Sequence, residues 1–213
     1  MKRKFYLAAL TLGAFVLWTV AVRYVDVAAI GPRGSAVGFA SLNGFFHRFT
    51  GVHMWLYTAT DWLSLIPVGF VLGFALLGLF QWIARRDIRR VDFSIFVLGG
   101  FYMAVMAAFV FFELFPVNYR PVLIEGVLEA SYPSSTTLLV MCMMPTAAMQ
   151  LRSRIRNSGL RRDILFAVTV FSALMVLGRL VSGVHWLTDI IGGALLSTGL
   201  VLLYDGICSS AGG

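Results

Sequence analysis

Apolar residues fall in six long blocks, at roughly 5–23, 62–84, 93–114, 134–151, 163–180 and 188–205, and polar residues gather between them. Each block is long enough to cross the ~30 Å of hydrocarbon in a bilayer as a helix. Lipid offers the backbone no hydrogen-bond partners, so helices are the predicted spanning structure. The pattern predicts an all-α integral membrane bundle of six transmembrane helices, forming one domain over 1–213. The connections then alternate between two sides. On one side lie 24–61, 115–133 and 181–187, and on the other lie 85–92 and 152–162. The first of these mixes aromatic and polar residues in "FASLNGFFHRFTGVHMWLY", which predicts a helix or turn lying in the membrane interface.

Composition agrees with a membrane protein. The 213 residues are 59% hydrophobic and 13% charged, where a soluble domain is typically about a quarter charged. The net charge is +7, and its placement argues against nucleic acid. Lys2, Arg3 and Lys4 precede the first span. Arg85, Arg86, Arg89 and Arg90 separate spans two and three, and Arg152, Arg154, Arg156, Arg161 and Arg162 separate spans four and five. All three clusters share one side, so the positive-inside rule places both termini in the cytoplasm. They read as anchors near anionic lipid headgroups, and no basic soluble domain remains to bind nucleic acid.

Several features carry less. Residues 1–22 start like a signal peptide, but the apolar stretch is long and no cleavage site follows, so they read as a span. Cys142 lies inside a span and Cys208 in a cytoplasmic tail, so no disulfide is expected. The tail after Asp205 is expected to fray. Gly99–Gly100 and "GGALLSTG" are expected to allow close helix contact. His47 and His53 lack an acidic or Cys partner and read as interfacial residues rather than metal ligands.

The informative polar residues cluster on the outer side. Arg120, the run Ser134–Thr137, and Arg179 with His185 and Asp189 all fall at outer ends of spans. Ionisable groups at membrane depth are costly and normally face a bundle interior or water. Two arginines can offer planar forks to phosphate oxygens. Pro133 and the following hydroxyl residues start a helix, whose first free N–H groups favour an anion. His185 and Asp189 are four apart and would share a helix face if the last span began near His185. The Asp would then hold one imidazole nitrogen as N–H and leave the other free to attack phosphorus.

"GRLVSGVHWLTDIIGG" resembles the third motif of the type 2 phosphatidic acid phosphatase family, S-R-x5-H-x3-D. "YRP" at 119–121 resembles the end of the first, K-x6-R-P, and "YPSSTT" at 132–137 resembles the second, P-S-G-H-T. The resemblance implies six spans and an extracytoplasmic site in the cell membrane. It implies phosphate binding by Arg120 and Arg179, with help from Ser134 and Ser135. It further implies a phosphohistidine on His185, oriented by Asp189. Phosphatidic acid, phosphatidylglycerol phosphate and polyprenyl diphosphate are the substrate types it suggests. No cofactor or metal is expected, because arginines and a helix terminus supply the positive charge.

Four positions depart from the motifs. The first-motif Lys falls on Glu113, the second-motif His on Thr136 and its Gly on Ser135, and the third-motif Ser on Gly178. An alcohol such as Thr136 is no general acid near neutral pH, and that acid is typically worth ~10²–10⁴-fold. Glu113 could be protonated and replace it. Glu113 could instead pair with Arg120 or with a cationic substrate group. Catalysis could also be lost, leaving a lipid binder or transporter. Glu125 and Glu129 are further candidate acids. The expected function is hydrolysis of a lipid phosphate monoester or diphosphate, with phosphoryl or headgroup transfer and non-catalytic lipid binding as alternatives.

Overall fold

The computed structural model describes residues 2–211. Eight α-helices follow one another: α1 (Lys2–Tyr24), α2 (Ala40–Thr50), α3 (Met54–Leu63), α4 (Leu65–Arg85), α5 (Phe93–Leu114), α6 (Ser135–Arg154), α7 (Ser158–Val181) and α8 (Leu187–Ala211). Short 3₁₀ turns lie at Pro32–Gly34 and Ile88–Arg90.

Among the described residues, five helical runs are long and apolar enough to cross a membrane: α1, the run Met54–Arg85 formed by α3 and α4, α5, α7 and α8. The second run starts earlier than hydropathy predicts. Ser64 keeps a helical backbone between α3 and α4, so helix reaches back to Met54 through residues read as interface. Helix α6 is the exception to the apolar pattern. It carries Thr136, Thr137, Thr146 and Gln150 buried along its length, and Pro145 inside it. Helices α4, α5, α7 and α8 all pack against it. Its side chains meet protein rather than lipid, so polar residues are tolerated where they find partners. Thr146 donates to the Cys142 carbonyl at 2.8 Å, a bond within the helix.

Helix α8 lies against α1 and α6. At Gly199 an added Cβ would stand 2.7 Å from the Leu12 side chain, and at Gly192 it would stand 2.5 Å from the Tyr132 ring. The expected close approach along this stretch is therefore present. At Gly99 and Gly100 nothing lies within 4 Å of such an atom, so that pair makes no close contact. The expected fraying after Asp205 is corrected. Helix α8 runs on to Ala211, held by Lys4 of α1, which pairs with Asp205 at 2.7 Å and donates to Ser209 at 2.9 Å.

The basic clusters lie at the end of the bundle where α4 meets α5 and α6 meets α7. The connection expected over 152–162 shrinks to 155–157, because both flanking helices extend into it. Asp92 gathers this end by pairing with Arg85 at 3.0 Å and Arg154 at 3.2 Å, and by accepting from Gln81 at 2.8 Å. At the opposite end α5 and α7 finish and α6 and α8 begin. The predicted polar patches meet there.

Candidate active site

The loop from α7 to α8 carries His185. Gly183 opens it with a left-handed backbone, φ +69°, and packs so tightly that an added Cβ would lie 1.9 Å from the Gly51 carbonyl oxygen. The His53 N–H donates to the Ser182 carbonyl at 2.9 Å. These contacts fasten the loop to the chain just before α3. Asp189, in the first turn of α8, is fully buried and accepts from the Trp186 N–H at 2.9 Å. That bond satisfies a free donor at the helix start. Asp189 also accepts from the Ser131 hydroxyl and from Asn118 Nδ2 at 3.3 Å.

Helix α8 begins after His185, so the two residues do not share its face as expected. They still approach: His185 Nδ1 is 3.7 Å from Asp189 Oδ2. Ser131 stands between them, with its carbonyl oxygen 3.2 Å from Nδ1 and its hydroxyl also 3.2 Å from it. The other imidazole nitrogen, Nε2, is 3.3 Å from Arg120 Nη1. A guanidinium only donates, so Nε2 must present its lone pair and Nδ1 must carry the proton. Burial is the main cause that pushes the His185 pKa down to about 4. Arg120 and Arg179 add to the fall and Asp189 opposes it. The ring is therefore neutral at ordinary pH.

Two buried arginines converge on one ring. The Arg179 guanidinium lies 4.6 Å from the centre of the Tyr57 ring, and that of Arg120 lies 5.8 Å from it. Arg179, 1% exposed, donates to the Tyr57 carbonyl and the Thr60 hydroxyl, both at 3.1 Å. Its remaining terminal nitrogen pairs with Asp61 at 3.4 Å. Arg120 Nε stands 2.9 Å from Glu129 Oε2, but without the alignment of a hydrogen bond. Both Nε atoms, of Arg120 and of Arg179, are buried with no hydrogen-bond partner among the described residues. Buried donors of this kind are rare and call for an explanation.

The remaining predicted residues divide into groups. Ser134 caps α6, accepting from Thr137 N–H at 3.4 Å, and its own N–H donates to the Asp189 carbonyl at 3.1 Å. Its hydroxyl is thus engaged within the first turn. Ser135 and Thr136 line a cavity of about 260 Å³, together with Asp61. Glu113 ends α5, exposed, within electrostatic range of Arg120 and Glu129. Glu125 is exposed in the turn closed by Ile124 and Val127. Arg179 and Asp189, which could have formed an ion pair, each have other partners. Among the described residues no group of His, Cys, Asp and Glu is arranged to hold a metal.

Sequence reasoning missed Tyr57, Thr60, Asp61, Asn118 and Ser131. Tyr57 and Asp61 are four apart in an apolar run, a spacing that puts them on one helix face, and that was the available signal. Ser131 and Asn118 had none, since their partners are distant in sequence.

The sequence signature of the PAP2 superfamily matches residues 101–204. Over these residues the chain belongs to the PAP2 superfamily. Its fold agrees with the crystal structure described as that of the first transmembrane PAP2 type phosphatidylglycerolphosphate phosphatase from Bacillus subtilis. That likeness has a TM-score of 0.64 at 19% identity, over 96% of this chain and 97% of that one. No curated protein sequence matches the chain. The PAP2 region contains Glu113, Arg120, Ser131, Ser134–Thr137, Arg179, His185 and Asp189. Tyr57, Thr60 and Asp61 approach it from outside that region.

Proposed function

We propose that this PAP2 protein is an integral membrane phosphatase that hydrolyses a lipid phosphate monoester or diphosphate through a phosphohistidine on His185. The observation that carries the reading is the His185 Nε2 lone pair facing Arg120, beside two buried Nε–H donors without hydrogen-bond partners. A nucleophile and a pair of anion-binding forks at one point suit phosphoryl transfer.

Nε2 attacks phosphorus while the bond to the lipid oxygen breaks. Nδ1 keeps its proton, and the positive charge that develops on the ring is met by the Ser131 carbonyl and the Asp189 carboxylate. Arg120 and Arg179 hold the phosphoryl oxygens. The first turn of α6 adds backbone donors at Ser135 and Thr136, and the hydroxyls of Ser134 and Ser135 are candidates to join them. Water then attacks the phosphohistidine and releases phosphate.

In this reading α6 is the sixth span. Its low hydropathy reflects four helical neighbours rather than a place outside the bilayer. The whole chain forms one domain with both termini in the cytoplasm and the site on the extracytoplasmic side, supported by the basic clusters at the opposite end. The test is phosphate release by purified protein in detergent with chelator present. The panel holds phosphatidic acid, phosphatidylglycerol phosphate and polyprenyl diphosphates. Release that disappears in His185→Ala is the expected result. Release equal to the His185→Ala background for every substrate would sink the proposal, and acceptor-dependent transfer or lipid binding would be measured instead.

A further inference from the structure

Building on the phosphatase reading above, we propose that Asp61 is the catalytic acid that protonates the departing lipid oxygen, the task Thr136 cannot perform. Asp61 and Thr136 line the same cavity of about 260 Å³. Its polar lining residues are Asp61, Ser64, Ser135 and Thr136, and its apolar ones include Val105, Met106, Phe109, Leu139 and Met143. In a lipid phosphate the leaving oxygen carries the apolar tail. The bond to be broken therefore belongs at a junction of polar and apolar wall. Asp61 is the carboxyl among the described residues at that junction. The cavity's phenol, Tyr102, directs its hydroxyl to Thr146 at 3.4 Å.

Position along the site supports the same residue. Contacts run from His185 to Arg120 at 3.3 Å, across the Tyr57 ring to Arg179, and from Arg179 to Asp61 at 3.4 Å. The nucleophile and Asp61 are the two ends of this series of contacts, and each touches one of the two arginines proposed to hold the phosphate. In-line displacement requires attacking and leaving atoms on opposite sides of phosphorus. Glu129 pairs with Arg120, and Glu113 lies near both, so these carboxyls share the nucleophile's end.

A phosphate that takes Arg179 draws it away from Asp61, whose carboxylate then stands beside the incoming phosphate. The proton arrives with the phosphate monoanion. In the first step the N–P bond forms, the P–O bond breaks and the Asp61 proton passes to the lipid oxygen, which leaves as an alcohol. In the second, the Asp61 carboxylate takes a proton from the attacking water. The N–P bond then breaks with its electron pair returning to Nε2, and phosphate departs.

The experiment compares dodecyl phosphate, with a poor leaving group, and 4-nitrophenyl phosphate, with a good one. Asp61→Asn is expected to lower kcat/KM on the alkyl ester by roughly 10²–10⁴-fold, with less than about a threefold change on the aryl ester. Thr136→His in the Asp61→Asn background puts an imidazole in the same cavity and should raise the alkyl rate again. Equal losses on both esters would mean that Asp61 only holds Arg179, and would overturn the proposal. So would a selective loss of alkyl activity in Glu113→Gln with none in Asp61→Asn. His185→Ala separates the two readings. If it leaves phosphate release intact, the phosphatase mechanism itself fails, whatever Asp61 does.

Discussion

Acidifying the protein should cost it stability through His185 in particular. The imidazole ordinarily titrates near pH 6.5, and in the folded chain burial pushes its pKa down to about 4. Between these values the unfolded chain binds a proton that the folded chain refuses. Stability therefore falls as pH drops through this window, is unaffected by this group above 6.5, and falls no further below about 4. A gap of this size corresponds to about 3 kcal/mol. For a protein of this length that is roughly 6–12 °C in Tm. The assay is thermal unfolding in detergent at a series of pH values, for the wild type and His185→Ala. The variant shares every other titrating group, so differences in slope isolate His185. The wild-type Tm should fall by the stated amount more than the variant's between pH 6.5 and 4. Parallel curves would refute the claim that a neutral, buried imidazole is built into the fold.

Ser131→Ala removes the hydroxyl that donates to Asp189 but leaves the carbonyl near His185 Nδ1. One hydrogen bond to a charged group is worth about 1.5–3 kcal/mol, so kcat should fall roughly 10–150-fold with KM little changed in steady-state kinetics. Arg179→Lys keeps the charge but loses the planar contact with Tyr57 and the fork of donors. Its kcat/KM should drop by about 100-fold or more, with added salt failing to restore it. Gly183→Ala meets both a left-handed backbone and the Gly51 carbonyl. It should destabilise by several kcal/mol, roughly the sum of left-handed strain and overpacking, visible as a lowered Tm together with lost activity.

Much of the architecture was legible because lipid imposes a simple rule on the residues that face it. The blocks at 5–23, 93–114 and 163–180 each lie within helices that meet that rule. The rule fails at α6 for a physical reason: a helix enclosed by other helices answers to its neighbours, and there Gln150 finds the Ser94 carbonyl at 3.3 Å and Thr146 the Tyr102 hydroxyl at 3.4 Å. Spacing also brought Arg179, His185 and Asp189 to notice, since these lie within eleven residues. The Tyr57 platform and Asp61 were hidden by distance, being more than a hundred residues from Arg179 in sequence. Aromatic residues near a membrane surface also have an ordinary reading as interfacial anchors. Ser131 was hidden differently. Its contribution to the site runs partly through its backbone carbonyl, which every residue possesses.

Helices α3 and α4 form a run of 32 residues, only 11% buried over its most apolar window. At 1.5 Å per residue the two helices laid end to end measure about 48 Å, against ~30 Å of hydrocarbon. A helix longer than the layer around it tilts to fit. The upper end of this one bears Tyr57 and Asp61, which hold Arg179. The angle of this run thus sets the height and bearing of Arg179, the group proposed to hold the phosphate. The bilayer, through its thickness, becomes a mechanical input to the site.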